Sequence, residues 1–201
     1  MPLWLAPQPL VLASRSSARR AMLEAVGIPI ELAAVDIDER AVEAQASPTS
    51  GRDAAGILAN EKALAGSQRW PGRTVVGADQ TLVLGSRTFA KPQDRTGAEA
   101  QLRALSGRSH ELHSAVAVAR DGHVLFGHTD SAKLTMRVLS DRFIQTYLSA
   151  VGARAMSSVG AYQLEGFGAH LFERVDGDYF TILGLPLLPL LAFLRREGCL
   201  E

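Results

Sequence analysis

The chain has 201 residues, 47% hydrophobic and 21% charged, with 21 basic side chains balancing 21 acidic ones. That suits a soluble globular protein of one large domain or two lobes sharing a core, and it argues against a basic stripe for a nucleic acid polymer. A chain of this length buries about 70% of its unfolded surface, so it needs no disulfide, and the single Cys199 could form none within the chain.

The opening MPLWLAPQPL lacks the basic segment of a signal peptide. The most apolar stretch, YFTILGLPLLPLLAFL (179–194), is too short and too broken by proline to span a membrane. It reads as core, and the chain as cytoplasmic with no membrane partner.

In chain order, Leu10–Ala13 (LVLA) predicts a buried strand, and Ser14–Ser17 a turn with helix-capping hydroxyls. The apolar stripe Ala21, Met22, Ala25 and Val26 predicts a helix over 18–26, ended by Gly27. Residues 28–35 read as a strand closed by the acidic cluster at 36–40, and 47–51 as a loop. A helix follows over 52–65, then a loop at 69–73 and the strand VVGADQTLVL (75–84), which reads as breaking at Asp79. A helix over 96–105 leads into a hairpin with arms at 110–119 and 124–138. Ser140 and Asp141 open a helix running to Ala150. Residues 160–172 read as irregular, 174–178 as a tight turn, and 187–196 as a last helix with Arg195 and Arg196 at its end. Cys199, next to the terminus, is expected to be poorly ordered. Helices and strands alternate before a hairpin intervenes, which argues for an α/β protein with a mixed sheet.

Four constellations carry chemistry. SRSSARR (14–20) brings a strand to a helix N-terminus with hydroxyls and arginines, a setting that favours anions; the other reading is a well-capped surface helix. DIDE (36–39) offers hard oxygen donors that suit Mg²⁺ or Mn²⁺, or else a solvated acidic loop. Glu61 and Lys62, adjacent on a helix, read by themselves as surface decoration. Asp79 in its apolar run must be paired, metal-bound or at a strand end, and Lys91 follows with its backbone restricted by Pro92. HELH (110–113) lacks the spacing of a zinc helix and reads as strand.

Taken together, LASRSSARRAML, AAVDIDE, NEKA, GADQTLVLG, AKP, LSGRSH, GAYQLEGFGAHLFERVDGDY and LGLPL resemble, in order and spacing, the Maf-like family of nucleoside triphosphate pyrophosphatases. The resemblance runs from about Leu10 to about Leu187. It implies an α/β fold of two lobes around an extended mixed sheet with a central nucleotide cleft, the whole of 1–201 forming one domain without a separable linker. It implies hydrolysis of the bond between the α- and β-phosphates and a divalent metal cation, Mg²⁺ or Mn²⁺. Carried over residue by residue, Asp79 is the proton acceptor, and Ser14, Arg19, Lys62 and Lys91 hold the phosphates. Glu39 and Asp79 hold the metal.

Ser17 stands where the family has proline, and Ala18 where it has arginine or tryptophan, a position tied to base choice. Gln80 and Glu165 look like the branch acting on 7-methyl-GTP; the thymidine/uridine branch tends to have threonine and glutamine there. The alternatives are a dTTP/UTP pyrophosphatase of the same family, a nucleotide-binding regulator of septum formation with little turnover, and a phosphatase releasing orthophosphate. A homodimer is left open.

Overall fold

The computed structural model describes residues 3–201, so the readings made at Met1 and Pro2 fall outside it. The elements are β1 (Leu10–Ala13), α1 (Ser17–Ala25), β2 (Ile30–Leu32), α2 (Glu39–Ala46), α3 (Gly51–Arg69), β3 (Val75–Leu84), β4 (Arg87–Phe89) and α4 (Arg95–Leu105). They continue as β5 (Ser109–Arg120), β6 (His123–Met136), α5 (Asp141–Val151), β7 (Phe172–Asp176), α6 (Tyr179–Ile182) and α7 (Leu187–Arg196). Among the described residues the strands form a seven-stranded mixed sheet in the order β2-β1-β3-β5-β6-β7, with β4 added to β3. β1 is parallel to β2 and β3, whereas β4 and β7 are antiparallel to β3 and β6.

The chain divides into two compact units. The first holds the chain up to Gln80, His113–Asp130 and Gly184–Glu201; the second holds Thr81–Leu112 and Ser131–Leu183. β3, β5 and β6 each contribute residues to both.

In the first unit, β1 is apolar at every position because it lies between two parallel neighbours and is fully buried. Helix α3 starts at Ser50, whose hydroxyl accepts from Asp53 N, and carries alanines at 55, 59 and 63. These face Ala115, Ala117 and Ala119 of β5. Small side chains on both surfaces let the helix lie close to the sheet. Two glycines complete the approach. A Cβ on Gly66 would stand 2.6 Å from Val75 Cγ1, and one on Gly77 would stand 2.3 Å from Ala59 O and 2.4 Å from Ala63 N. β5 and β6 join through Asp121 (φ 50°) and Gly122 (φ 78°), a two-residue turn with both residues left-handed, as the strand twist requires.

The second unit has its own core, in which Leu82, Leu102, Leu105, Leu112, Leu134, Met136, Ile144 and Leu171 are buried. His110 is buried among them, its Nε2 2.7 Å from the Tyr162 hydroxyl and its Nδ1 without a hydrogen-bond partner among the described residues. Burial pushes the imidazole pKa down from 6.5 to about 4, so the folded protein holds it neutral. Above pH 6.5 the ring is neutral folded or unfolded and contributes nothing to pH dependence. As pH falls from 6.5 towards 4, only the unfolded chain takes the proton, and stability drops by up to ~1.4 kcal/mol per pH unit. Urea unfolding across this window should show that slope reduced by about one proton in His110→Gln.

The structure corrects several expectations. The strand expected over 28–35 shrinks to Ile30–Leu32, because β2 is an edge strand matched to β1 only at Leu10–Leu12. A helix begins inside the acidic cluster at 36–40: Asp38 caps α2, its Oδ1 accepting from Ala41 N at 3.0 Å. The helix expected over 52–65 runs from Gly51 to Arg69. The turn expected at 174–178 is β7 as far as Asp176, and Asp178 then caps the short α6. Cys199 is buried, its carbonyl accepting from Leu5 N at 2.9 Å. Above all, β3 does not break at Asp79: the strand continues unbroken from Val75 to Leu84.

Candidate active site

Asp79 lies in mid-strand, and the packing of α3 explains how a carboxylate survives there. Val75, Gly77 and Asp79 share one face of β3, the face that α3 covers. Gly77 admits the helix backbone at Ala59 and Ala63, and this brings Lys62, next to Ala63, over Asp79. Lys62 Nζ lies 2.6 Å from Asp79 Oδ1, and each of the two side chains is only 13% exposed. The buried charge is therefore paired, which removes most of the cost of desolvating it.

The same Nζ lies 2.6 Å from Glu39 Oε1. Glu39 stands in the first turn of α2, directly after its cap Asp38. The two carboxylate oxygens therefore converge on one ammonium and lie no further apart than the sum of the two distances. Asp36, by contrast, is exposed and pairs with Arg15 at 3.6 Å. Of the acidic cluster, only Glu39 joins Asp79.

The turn before α1 completes the group. Ser16 caps the helix, its Oγ accepting from Arg19 N, and Ser16 N donates to Ser14 Oγ at 3.2 Å. Arg19 Nη1 donates to Ser14 Oγ at 3.2 Å and to the Ala78 carbonyl at 2.8 Å, while its Nε donates to the Gly184 carbonyl at 2.7 Å. The guanidinium thus ties the first turn, the residue preceding Asp79 and the loop before α7 into one piece. Burial lowers the Arg19 pKa, while the charges of Asp79 and Glu39 draw it back up. Lysine at position 19 would keep the charge but lose the fork that spans two carbonyls. Arg19→Lys is expected to lower unfolding stability by about 1.5–3 kcal/mol, measured by urea titration.

On the opposite face of β3, Gln80 Nε2 donates to Ser114 Oγ of β5 at 3.0 Å. Gly184, in a left-handed backbone (φ 99°), lies near both Gln80 and Arg19, and a Cβ there would stand 3.5 Å from Gln80 Oε1 and from Arg19 Nε. Ala18 is half-buried in the first turn of α1. Neither Ser114 nor Gly77 stood out in the sequence as part of a site; the only trace was a glycine two residues before the aspartate.

Ser14, Ala18, Arg19, Glu39, Lys62, Asp79 and Gln80 thus belong to the first unit. Lys91 and Glu165 belong to the second, and both are exposed. Glu165 sits on a tight turn: Gly166 N donates to the Gln163 carbonyl at 3.2 Å. A Cβ on Gly168 would stand 2.2 Å from that same oxygen, so the turn admits only glycine. Among the described residues no three His, Cys, Asp or Glu side chains cluster as a ready metal cage, and no helix is long and apolar enough to cross a membrane.

Residues 9–197 match the family described as Maf-like protein. The chain is 56% identical over 200 residues to a nucleoside triphosphate pyrophosphatase of Rhodopseudomonas palustris strain BisB18, covering 100% of this chain and 99% of that one. It is 54% identical over 194 residues to a 7-methyl-GTP pyrophosphatase of Brucella abortus biovar 1 strain 9-941, covering 96% and 98%. A solved structure of a nucleoside-triphosphatase / dITP/XTP pyrophosphatase from Mycobacterium abscessus aligns over 95% of each chain at 15% identity and a TM-score of 0.41, too loose a likeness to argue from. With a family match over nearly its whole length and relatives above half identity end to end, the chain belongs to the Maf-like protein family.

Proposed function

We propose that the protein is a nucleoside triphosphate pyrophosphatase that hydrolyses the bond between the α- and β-phosphates. The observation that carries this reading is the convergence of Glu39 and Asp79 on Lys62 beside the capped start of α1. Relatives bearing that activity in their names, matched over their whole length, support it. In the reaction, water oxygen bonds to the α-phosphorus and the bond to the bridging oxygen breaks. A nucleoside monophosphate and pyrophosphate leave. Asp79 takes or directs the proton of the attacking water, as a positioned carboxylate can. Lys62 and Arg19 offset the charge that develops on the phosphate oxygens.

The donor set also fits a divalent cation. Mg²⁺ is commonly held by one or two carboxylates together with substrate phosphates, and Glu39 and Asp79 supply two carboxylates at one point. Bound there with the substrate, Mg²⁺ or Mn²⁺ would supply Lewis-acid stabilisation of phosphate charge. The assignment of Lys91 to the phosphates, of Ala18, Gln80 and Glu165 to the base, and of Ser14 to the phosphates rests on the resemblance.

The base we propose is 7-methyl-guanine. A relative at 54% identity is named for that substrate. A carboxylate such as Glu165 can accept two hydrogen bonds from the N1–H and amino edge of guanine, but one from uracil or thymine. Methylation at N7 makes the ring cationic, which a carboxylate favours. A panel of nucleotides with Mg²⁺, with pyrophosphate and monophosphate both measured, tests the reading. Pyrophosphate release fastest from 7-methyl-GTP is expected. Faster release from dTTP and UTP overturns the base assignment alone, and orthophosphate as the first product overturns the reaction.

A further inference from the structure

Lys62 occupies the point where the two carboxylates meet. Its ammonium is within ion-pair distance of both Glu39 and Asp79, and it is held there by a helix that the glycine at 77 brings against the strand. A divalent cation drawing on the same two carboxylates would stand at close range to this ammonium, and like charges at such separation repel. The local charge count points the same way. Lys62 and Arg19 supply two cations, Glu39 and Asp79 two anions, so the group is balanced without any added ion. A triphosphate brings several negative charges, and these offer the ammonium a second partner.

We infer that Lys62 is an exchangeable cation: it neutralises Glu39 and Asp79 in the free protein, excludes a divalent metal from them, and yields the two carboxylates to the metal when polyphosphate arrives to receive its ammonium. The metal then enters with the nucleotide and not before it. This rests on the pyrophosphatase reading, and it adds an order of binding that the reading does not require.

The test is Mn²⁺ binding to the metal-free, nucleotide-free protein, read from the loss of the free-ion electron paramagnetic resonance signal. Lys62→Met and Lys62→Gln both remove the charge; thermal melting shows whether each is folded, and either one suffices. The folded variant is expected to bind Mn²⁺ about tenfold or more tightly than the natural protein, since one like charge is gone from the site. Lys62→Arg, which keeps a cation, should bind as weakly as the natural protein. Equal or weaker Mn²⁺ binding in the neutral variants overturns the inference, as does tight binding by the natural protein alone. A pyrophosphate-release assay on the natural protein separates the two readings. Release without an affinity gain in the variants refutes the exchange only, whereas an affinity gain without release supports the exclusion of the metal by Lys62 and refutes the pyrophosphatase assignment.

Discussion

Asp79→Asn should lower kcat by about 10²-fold or more while leaving a folded protein. Asparagine has nearly the shape of aspartate and keeps one acceptor oxygen, so the strand and its packing under α3 have no steric reason to change. What it loses is the charge. The amide can neither take a proton from water nor pair with Lys62 as a carboxylate does, and the 2.6 Å contact becomes at best an ordinary hydrogen bond. Glu39 remains on Lys62, so the ammonium keeps one anionic partner. Melting should therefore shift by only a few degrees, of the order a 1 kcal/mol change produces in a domain of this size. Pyrophosphate release followed under saturating 7-methyl-GTP, together with a melting curve, checks both halves. A folded Asp79→Asn protein that turns over at the natural rate removes Asp79 from the chemistry.

The second large effect is structural. Gly77→Ala is expected to cost about 3 kcal/mol or more of unfolding free energy, or to yield no soluble protein. The added methyl carbon would stand 2.3 Å from the Ala59 carbonyl oxygen and 2.4 Å from the Ala63 nitrogen. Both are backbone atoms of α3, so no rotamer change relieves the contact; helix and strand must move apart. Such a shift lifts Lys62 from Asp79, so any folded fraction should also lose turnover. The control is Gly127→Ala, whose new carbon meets only Asn60 Oδ1 at 3.6 Å, an ordinary contact, and whose stability should be near that of the natural protein. Urea unfolding of the two variants side by side makes the comparison.

Lys62 shows what local pattern hides: the family resemblance put it in the site, whereas its own surroundings in the sequence did not. Beside Glu61 on a helix it looks like surface charge, and Glu61 is indeed exposed. Lys62 projects onto β3 and Glu61 does not, and the close approach of α3 depends on Gly77 and on alanines of two segments, α3 and β5. Asp79 was legible as a paired or functional group, because a lone carboxylate among valines and leucines has few other options. Its place was not: a break in an apolar run suggests a strand end, whereas here a partner arriving from another element lets the strand continue.

The periodic segments were determined by sequence alone. β1, α1, α4, α5 and α7 lie within a residue or so of where apolar spacing, capping hydroxyls and terminal glycines put them. Local hydrogen bonds and local side-chain burial suffice to define such elements. The short β2, β4 and β7 and the union of Glu39, Lys62 and Asp79 were decided by tertiary structure. An edge strand exists only where a neighbour offers its backbone. A charge can be buried only where an opposite charge from another segment meets it.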